Sequence, residues 1–405
     1  MVILGQWQNH SFNLSIKSNC LTLSLEWDGK AEVYSFDCAG RLWTALVENV
    51  SYRRGLDGKL VAKWGTANEA RERRWIFPPA SLEFEERARQ RAAALYAAIQ
   101  QGQAVLNADL PPAGALGFAR ALAFDAARSQ ADVRQYSQVY QPVGILPPDQ
   151  YMAVVLQMAL GCSFNTCTFC TFYRDRRFRI QSPQSFRQHA QAVRDFLGEG
   201  LSLRRTIFLG DANALVIPMP RLLALLEVVH EVFDVAALGG LYAFLDGFSG
   251  EKKSAADYHR LAQAGLKRVY IGLESGCQPL LSFLKKPGKA ADAIQAVQAM
   301  KTSGVAVGVI VLLGAGGQAY ARQHVRETIS VLNAMRLDAD DLIYFSELVE
   351  AEGMEYTRDA YEAGLQPLNA EERLIQGEQI EAGLKFSTAG GVPHISRYDI
   401  REFVY

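Results

Sequence analysis

Apolar and polar side chains alternate along the first fifty or so residues, as in Leu21–Leu25. A period of two is typical of half-buried β-strands, and Asp28-Gly29 and Asp57-Gly58 predict hairpin turns between such strands. Residues 81–102 are rich in helix formers, which predicts a long helix. We therefore expect residues 1–145 to form an N-terminal α+β domain of unknown role.

Strand, loop and helix follow one another repeatedly beyond residue 150. The strand candidates are mostly continuous apolar runs, as expected when both faces of a sheet are covered: Ala153–Leu160, Thr206–Leu209, Val235–Phe244, Val269–Leu273, Val305–Leu313 and Leu342–Phe345. The helix candidates are Pro220–Phe233, Ala255–Ala264, Ala290–Thr302 and Ala321–Met335. This alternation predicts an α/β fold with parallel strands and right-handed crossovers. Because six units are fewer than a full barrel has, we expect an open, partial barrel or a doubly wound sheet, with ligands at the carboxyl ends of the strands.

Composition narrows the class of protein further. The chain has 405 residues, with 42 Lys and Arg against 43 Asp and Glu, and this balance argues against extensive nucleic-acid binding. The longest apolar stretch, residues 305–315, is well short of the ~20 residues that a membrane-spanning helix needs. The first residues lack the pattern of an export signal. We therefore expect a cytoplasmic location and no membrane partner.

Three of the six cysteines lie within nine positions, directly after the first predicted strand of the βα region. They are Cys162, Cys167 and Cys170, whereas Cys20, Cys38 and Cys277 are scattered along the chain. In a long chain without an export signal, clustered cysteines are more often metal ligands or catalytic thiols than disulfide partners. The spacing C-x4-C-x2-C therefore predicts one metal centre with three thiolate ligands.

The source of a fourth ligand leaves three alternatives open. A ferredoxin-type centre needs a fourth cysteine, and Cys277 is the only one that follows. A structural zinc site needs a histidine, of which His189 is the nearest downstream. In the third alternative the fourth position stays open for a substrate or a cofactor, as in catalytic metal sites.

The cysteine triplet and its place after the first strand resemble the radical S-adenosylmethionine (radical SAM) superfamily over about residues 150–350. The usual spacing there is C-x3-C-x2-C, and the additional residue in this chain is similar to anaerobic Fe–S oxidoreductases. The resemblance implies a partial (β/α)6 TIM-like barrel. It also implies that Cys162, Cys167 and Cys170 hold one [4Fe-4S] cluster. The mixed side chains of the final residues, 393–405, predict separately that a C-terminal helical or extended segment, residues 351–405, packs on the barrel.

The chemistry implied by the resemblance is that of an oxygen-sensitive enzyme. In the family, the amino and carboxylate groups of S-adenosylmethionine bind the open iron of the cluster. One electron from the reduced cluster then breaks a C–S bond, which gives methionine and a 5′-deoxyadenosyl radical. The radical abstracts hydrogen from a substrate. A reductant such as flavodoxin or ferredoxin is implied as a partner, and the reaction subclass stays open.

The resemblance also assigns the first residues that contact S-adenosylmethionine. Phe169 matches an aromatic position whose backbone approaches the adenine. At the end of the second strand, Gly210, Asp211 and Asn213 stand where the family has a Gly-Gly-Glu-like motif for the cofactor's ammonium group, although the glutamate itself is missing. An Asx turn is the structural alternative for Asp211 and Asn213.

Two later strands carry the remaining predicted contacts. Glu274 and Ser275, in the segment GLESG, match residues that contact the methionine or ribose part of the cofactor, although Ser275 is also suited to cap a helix. Gly308 and Ile310 match the adenine-binding stretch of the fifth strand. A Gly-rich phosphate loop is the rival interpretation of residues 313–318, but no Lys-Ser or Lys-Thr follows.

The sequence does not name a catalytic residue or a substrate. Asp246 and the loop after it are candidates for a substrate wall, and Arg174, Arg176, Arg177 and Arg179 are suited to attract an anionic substrate or an acidic electron donor. A small or medium-sized anionic metabolite is the leading hypothesis for the substrate, and a distant resemblance suggests a tetrapyrrole-like one. The three scattered cysteines cannot build a second four-cysteine cluster. A zinc-stabilised, non-catalytic binding module and a ferredoxin-like electron carrier remain as alternatives from other classes.

Overall fold

The computed structural model describes residues 1–27, 29–65, 72–246, 252–351, 353–387 and 390–405. The chain divides into two units. The first contains Met1–Val143, Gln191–Arg205 and Arg401–Tyr405, and the second contains Gly144–Ala190 and Thr206–Ile400.

The alternating positions of the first unit form a nine-stranded antiparallel sheet. Its strands are β1 (Val2–Trp7), β2 (His10–Ile16), β3 (Cys20–Trp27), β4 (Lys30–Asp37), β5 (Leu42–Val47), β6 (Val50–Arg54), β7 (Leu60–Trp64), β8 (Glu72–Ile76) and β9 (Ala104–Leu106). Consecutive strands from β1 to β8 are neighbours, and β9 pairs with β1. The turn predicted at Asp57-Gly58 lies between β6 and β7, where Gly58 has a φ of +80°. The turn predicted at Asp28-Gly29 includes Asp28, which lies outside the described residues.

Three helices belong to the first unit: α1 (Ala80–Gln100), α2 (Pro112–Ala123) and α3 (Ala126–Val139). The long helix predicted from residues 81–102 is α1. Its buried side chains, among them Ala88, Ala92 and Leu95, recur at helical spacing and join one core with sheet residues such as Leu14. The sheet, α1 and α2 therefore share a hydrophobic core of their own.

The second unit contains a seven-stranded sheet in which every pair is parallel. In spatial order its strands are β10 (Ala153–Gln157), β13 (Thr206–Gly210), β14 (Leu241–Leu245), β15 (Leu266–Glu274), β16 (Ala306–Leu313), β17 (Leu342–Glu347) and β18 (His394–Tyr398). A separate antiparallel pair consists of β11 (Ala159–Leu160) and β12 (Arg179–Ile180). The predicted α/β, TIM-like partial barrel is confirmed, and β18 adds a seventh strand to the six predicted.

Helices alternate with the strands of this sheet: α4 (Pro183–Leu197), α5 (Met219–Val232), α6 (Ala255–Gln263), α7 (Gln278–Phe283), α8 (Ala290–Thr302), α9 (Gly317–Met335), α10 (Glu355–Glu362) and α11 (Ala370–Ala382). The prediction of a strand over Val235–Phe244 is wrong in its first half. Residues 235–239 form a turn, because Asp234 accepts a hydrogen bond from the Ala237 N–H at 3.0 Å and Gly239 and Gly240 have positive φ. The apolar run therefore begins before the strand does.

A partly buried carboxylate connects the strands near their amino-terminal ends. Asp149, just before β10, accepts hydrogen bonds from the hydroxyl groups of Tyr270 on β15 and Tyr344 on β17, the latter at 2.8 Å. The Nη1 atom of Arg268 on β15 lies 3.3 Å from the same carboxylate. Gly308 on β16 leaves space for Tyr270, since an added Cβ would lie 2.4 Å from its ring. One carboxylate thus joins strands that are not neighbours in the sheet.

No helix within the described parts of the chain combines the length and apolar character needed to cross a membrane.

We expect Asp149→Asn to lower the free energy of unfolding by roughly 2 kcal/mol, because hydrogen bonds to a charged acceptor contribute about 1.5–3 kcal/mol and an amide nitrogen cannot accept them. Chemical denaturation measures the change. Glu231→Gln is the control: it removes the charge from an exposed pair with Arg187, and exposed pairs contribute about 0–1 kcal/mol. Equal losses in the two variants would contradict the role given to Asp149.

Candidate active site

The cysteine loop, residues 161–178, lies between β11 and β12, whose antiparallel pairing closes it at its base. Its three cysteines are free thiols. Cys162, Cys167 and Cys170 all line one cavity of about 200 Å³. The cavity also takes residues from the carboxyl ends of β14 to β18. The loop therefore presents three thiols at the end of the barrel where βα folds bind ligands.

Arg174 stabilises the conformation of this loop by hydrogen bonds to its backbone. Its guanidinium donates hydrogen bonds to the carbonyl oxygens of Asn165, of Cys167 at 2.8 Å and of Cys170 at 3.2 Å. Asn165, which has a φ of +54°, donates its side-chain N–H to the Tyr173 carbonyl at 2.9 Å. The Asn165 backbone N–H lies 3.3 Å from the Cys162 sulfur. Arg174 thus serves the loop itself, in addition to any role toward an anion.

Asp211 connects the start of the cysteine loop to the barrel. Its carboxylate accepts hydrogen bonds from the Gln157 side chain at 2.7 Å and from the Gly161 N–H at 2.8 Å, and the Arg176 Nη1 lies 3.5 Å away. Burial raises the pKa of Asp211 to about 6, although these three partners oppose the rise. Both carboxylate oxygens therefore face donors of the chain itself, and Asp211 is not part of the cavity lining.

Glu274 and Lys286 form a buried ion pair in the cavity wall. The Glu274 Oε1 and Lys286 Nζ atoms are 3.3 Å apart, and the side chains are only 10% and 9% exposed. Glu274 has a φ of +61°, at a register shift between β15 and β16. A Cβ on Gly272 would lie 2.4 Å from the Glu274 carboxylate and 3.2 Å from the Lys286 Nζ. The missing side chain at Gly272 therefore leaves the space that the pair occupies.

Four of the predicted cofactor contacts line this cavity: Phe169, Asn213, Glu274 and Ile310. Gly210, Asp211, Ser275 and Gly308 are not part of the lining. Ser275 is fully buried, and its hydroxyl lies 2.7 Å from the His324 Nδ1 and accepts from the Cys277 N–H. Gly308 faces the Tyr270 ring. The structure thus gives Asp211, Ser275 and Gly308 contacts within the protein instead of places at the cavity.

The Gly-rich segment after β16 is not an open phosphate loop. A Cβ on Gly314 would lie 2.8 Å from the Arg373 side chain, and one on Gly317 would lie 2.1 Å from the Gln366 carbonyl. The backbone N–H of Gly314 donates to the Gln376 side chain at 2.8 Å. These glycines allow the segment to pack closely against residues 366–376, as the missing Lys-Ser or Lys-Thr already suggested.

Several lining residues were not predicted as site residues. Asp246 was predicted and lines the cavity, whereas the loop after it, residues 247–251, lies outside the described residues. Lys286, Leu312, Ser346, Glu347 and Tyr398 line the cavity without having been predicted to do so. Leu312 follows Ile310 by two positions on β16, so the strand period contained a signal for it. For Lys286, which follows α7, the sequence contained no such pattern.

Burial affects the protonation of the cysteines. It raises the pKa of Cys170 to about 11, and it raises the pKa of Cys167 as well; Lys286 opposes the rise at Cys167, and Glu274 adds to it. A thiolate is the form that binds metal, so a nearby cation helps to create the ligand. Three free thiols around one cavity, with an ammonium group in its wall, fit the donor set of an iron–sulfur cluster.

The fold and the cysteine loop together define a class: a parallel partial barrel whose first βα loop carries three thiols. Residues 156–329 match the family model of the Radical SAM superfamily. This part of the chain is therefore a radical SAM domain, which implies a [4Fe-4S] cluster and S-adenosylmethionine as cofactors. The comparison leaves the reaction subclass open.

Three solved structures are examples of what the chain is similar to. The cobalamin-dependent enzyme OxsB with S-adenosylmethionine bound is 15% identical over 64% of this chain and 33% of its own, with a TM-score of 0.38. Coproporphyrinogen III oxidase (HemN) from Escherichia coli is 11% identical over 62% and 55%, with a TM-score of 0.45. Methylornithine synthase (PylB) is 14% identical over 67% and 75%, with a TM-score of 0.39. The chain thus spans a third of the length of OxsB. A search of curated proteins found no match.

We expect Arg174→Gln to reduce the iron bound after anaerobic reconstitution several-fold, because the glutamine cannot donate to three loop carbonyls at once. Iron and sulfide analysis measures the loss. Arg177→Gln makes the same change at an exposed position of the same loop and is expected to keep the wild-type content. Equal iron content in Arg174→Gln and Arg177→Gln would contradict this assignment.

Proposed function

We propose that the protein is an oxygen-sensitive enzyme that cleaves S-adenosylmethionine reductively and abstracts hydrogen from a substrate bound in the same cavity. The observation that carries this proposal is that Cys162, Cys167 and Cys170 line one cavity at the carboxyl ends of parallel strands. When bound, the cluster and S-adenosylmethionine supply radical chemistry that amino-acid side chains lack. The protein contributes ligands, orientation and exclusion of water.

The lining residues divide this work among them. We assign Cys162, Cys167 and Cys170 as the cluster ligands. Apolar and aromatic side chains of the wall, such as Phe169 and Ile310, are suited to cover the adenine. The family match covers the cysteine loop, which carries Phe169, and β16, which carries Ile310, and this supports the assignment.

The polar cofactor contacts that we propose are Asn213 and Glu274, since both line the cavity. Glu274 already pairs with Lys286. Its carboxylate is suited to bind a second, positively charged group of the cofactor. The predicted contacts Gly210, Asp211, Ser275 and Gly308 act on the cofactor, in our proposal, only by holding neighbouring groups in place.

The charged side chains that line the cavity indicate which class of substrate fits it. Among the described residues that line the cavity, Lys286 carries the single positive charge, while Asp246, Glu274 and Glu347 are acidic. Glu347 pairs with Arg373 at 2.9 Å, as Glu274 pairs with Lys286. The part of this wall that the structure describes does not supply the several cations that the carboxylates of a tetrapyrrole would need.

We therefore propose a substrate other than an anionic tetrapyrrole. Its apolar part would pack against aromatic side chains such as Phe172 and Phe244, and its polar groups would face Asp246. Four arginines suggested an anionic substrate. Two of them, Arg174 and Arg176, are hydrogen-bonded within the protein. A one-electron donor such as flavodoxin or ferredoxin, and a cytoplasmic location, complete the proposal.

Anaerobic reconstitution tests the cluster directly. We expect about four irons and four sulfides per chain and an electron paramagnetic resonance signal that changes when S-adenosylmethionine is added. One tightly bound zinc and no iron would support the zinc-stabilised binding module instead. A reducible cluster whose signal does not respond to S-adenosylmethionine would support the electron carrier.

Cys167→Ala is expected to abolish the formation of 5′-deoxyadenosine, because it removes one of three cluster ligands. Liquid chromatography of anaerobic assays with a chemical reductant measures the product. Cys38→Ala, outside the cysteine loop and in the first unit, is the control and is expected to retain cleavage. Undiminished cleavage in Cys167→Ala would show that the ligands are wrongly assigned.

Deuterium transfer identifies the substrate. Candidate metabolites labelled with deuterium are incubated with the reconstituted protein, and mass spectrometry of 5′-deoxyadenosine follows the label. A true substrate is expected to transfer deuterium from one position. If 5′-deoxyadenosine forms but no labelled candidate transfers its deuterium, those candidates are excluded as hydrogen donors.

A further inference from the structure

We propose that Lys286 tunes the reduction potential of the cluster, by holding a buried positive charge beside Cys167. This inference rests on the proposed ligation of the cluster by the three cysteines. Lys286 would act through the Cys167 ligand and would take no part in bond making or breaking. Its role would be to place a positive charge near the cluster.

Backbone contacts place the Lys286 segment beside Cys167. The Thr168 N–H donates to the Leu284 carbonyl at 3.0 Å, and the Thr166 hydroxyl donates to the Lys285 carbonyl at 3.3 Å. The two donors therefore belong to the residues on either side of Cys167, and the two acceptors are the residues directly before Lys286. The cysteine and the lysine are thus held on neighbouring stretches of backbone.

The lysine segment is itself fixed to the end of α7. The backbone N–H of Lys286 donates to the Leu281 carbonyl at 2.9 Å, and that of Lys285 donates to Ser282 at 3.0 Å. Lys285 has a φ of +50°. Because of this turn, the side chains of Lys285 and Lys286 lie in different surroundings.

Those surroundings differ in exposure and in partners. The Lys285 side chain is 47% exposed and pairs with Glu355 and Asp359 on and around α10. The Lys286 side chain is 9% exposed, pairs with Glu274 and lines the cavity with the cysteines. Burying an ammonium group is costly unless anions compensate it. Both lysines are therefore compensated by carboxylates, but only the Lys286 charge is buried in the cavity wall.

The charges around Lys286 indicate where its influence falls. Burial by itself lowers the pKa of Lys286, but Glu274, Cys167 and Asp246 together raise it, so the group stays positively charged. Lys286 and Cys167 line one cavity and lie on neighbouring stretches of backbone, so the ammonium charge acts at this cysteine.

A fixed positive charge near a cluster ligand favours the reduced state. One-electron reduction adds one negative charge to the cluster, and a neighbouring ammonium group lowers the energy of that charge. The interaction is weakly screened because both groups are buried. Lys286 thus makes the cluster easier to reduce, and Glu274 limits that effect by its negative charge.

Anaerobic redox titration with dithionite, followed by electron paramagnetic resonance, tests this inference. We expect Lys286→Met to make reduction about tenfold less favourable, which for a one-electron couple is a shift of about 59 mV toward lower potential. Lys286→Arg keeps the charge and is expected to retain the wild-type potential. Lys285→Met is the matched control and is also expected to retain it.

Glu274→Gln supplies a test of opposite sign. It leaves the ammonium uncompensated, so the potential is expected to rise. Because Lys286→Met leaves Glu274 unpaired in a buried site, cluster assembly in that variant can fail. The double variant Glu274→Gln/Lys286→Met removes both charges. Its reduction potential is compared with that of Glu274→Gln and is expected to be lower.

Iron and sulfide content separates the two proposals. If the wild-type protein assembles no cluster, the proposed function is overturned and the potential has no meaning. If all variants carry a full cluster and Lys286→Met, or the double variant against Glu274→Gln, shows no shift, the role of Lys286 is overturned and the proposed function stands. Equal shifts in Lys285→Met and Lys286→Met would also overturn it, because an exposed charge would then act as strongly.

Discussion

Hydrogen bonds to backbone carbonyl groups of the cysteine loop are the constraint on which the candidate site depends. The loop has almost no regular secondary structure between β11 and β12, so its carbonyl and N–H groups need other partners. Arg174 supplies donors to three of those carbonyls, and Asp211 accepts from the N–H at the start of the loop. The threonines around Cys167 then connect the loop to the end of α7. Without these contacts, three thiols on an irregular segment would have no common arrangement.

The interior of the barrel also requires that its charges be compensated. Near the amino-terminal ends of the strands, Asp149 is paired with Arg268 and two tyrosines. Near the carboxyl ends, Glu274 is paired with Lys286. Between them the lining is largely apolar, with side chains such as Phe244 and Ile310. Low exposure strengthens each charged interaction and also makes an uncompensated charge expensive. The same pairing that stabilises the barrel thus determines which charges face the cavity.

The strands and helices could be predicted because each has a local pattern of apolar and polar residues in the sequence. The helix over Ala290–Thr302 has the predicted bounds, and the six predicted strands all occur. The misplaced start of β14 has a local cause, since an apolar run does not reveal that Asp234 and two glycines form a turn. The sequence does not predict the β18 strand at residues 394–398, because its pattern is short and mixed in polarity. Its place in the sheet depends on pairing with β17, distant in sequence.

The sequence by itself determined the cysteine spacing, the alternation of strands and helices, and the end of the barrel at which ligands are expected. These are local or periodic properties, which the chain carries wherever it folds. Only the tertiary structure decided which polar groups face the cavity. Asp211 and Glu274 are both carboxylates at the ends of strands, yet Asp211 meets three donors of the chain itself and Glu274 meets Lys286 at the cavity wall. The partners of Asp211 are 35 to 54 positions away and the partner of Glu274 is 12 positions away, so no pattern within one strand or helix contains that difference.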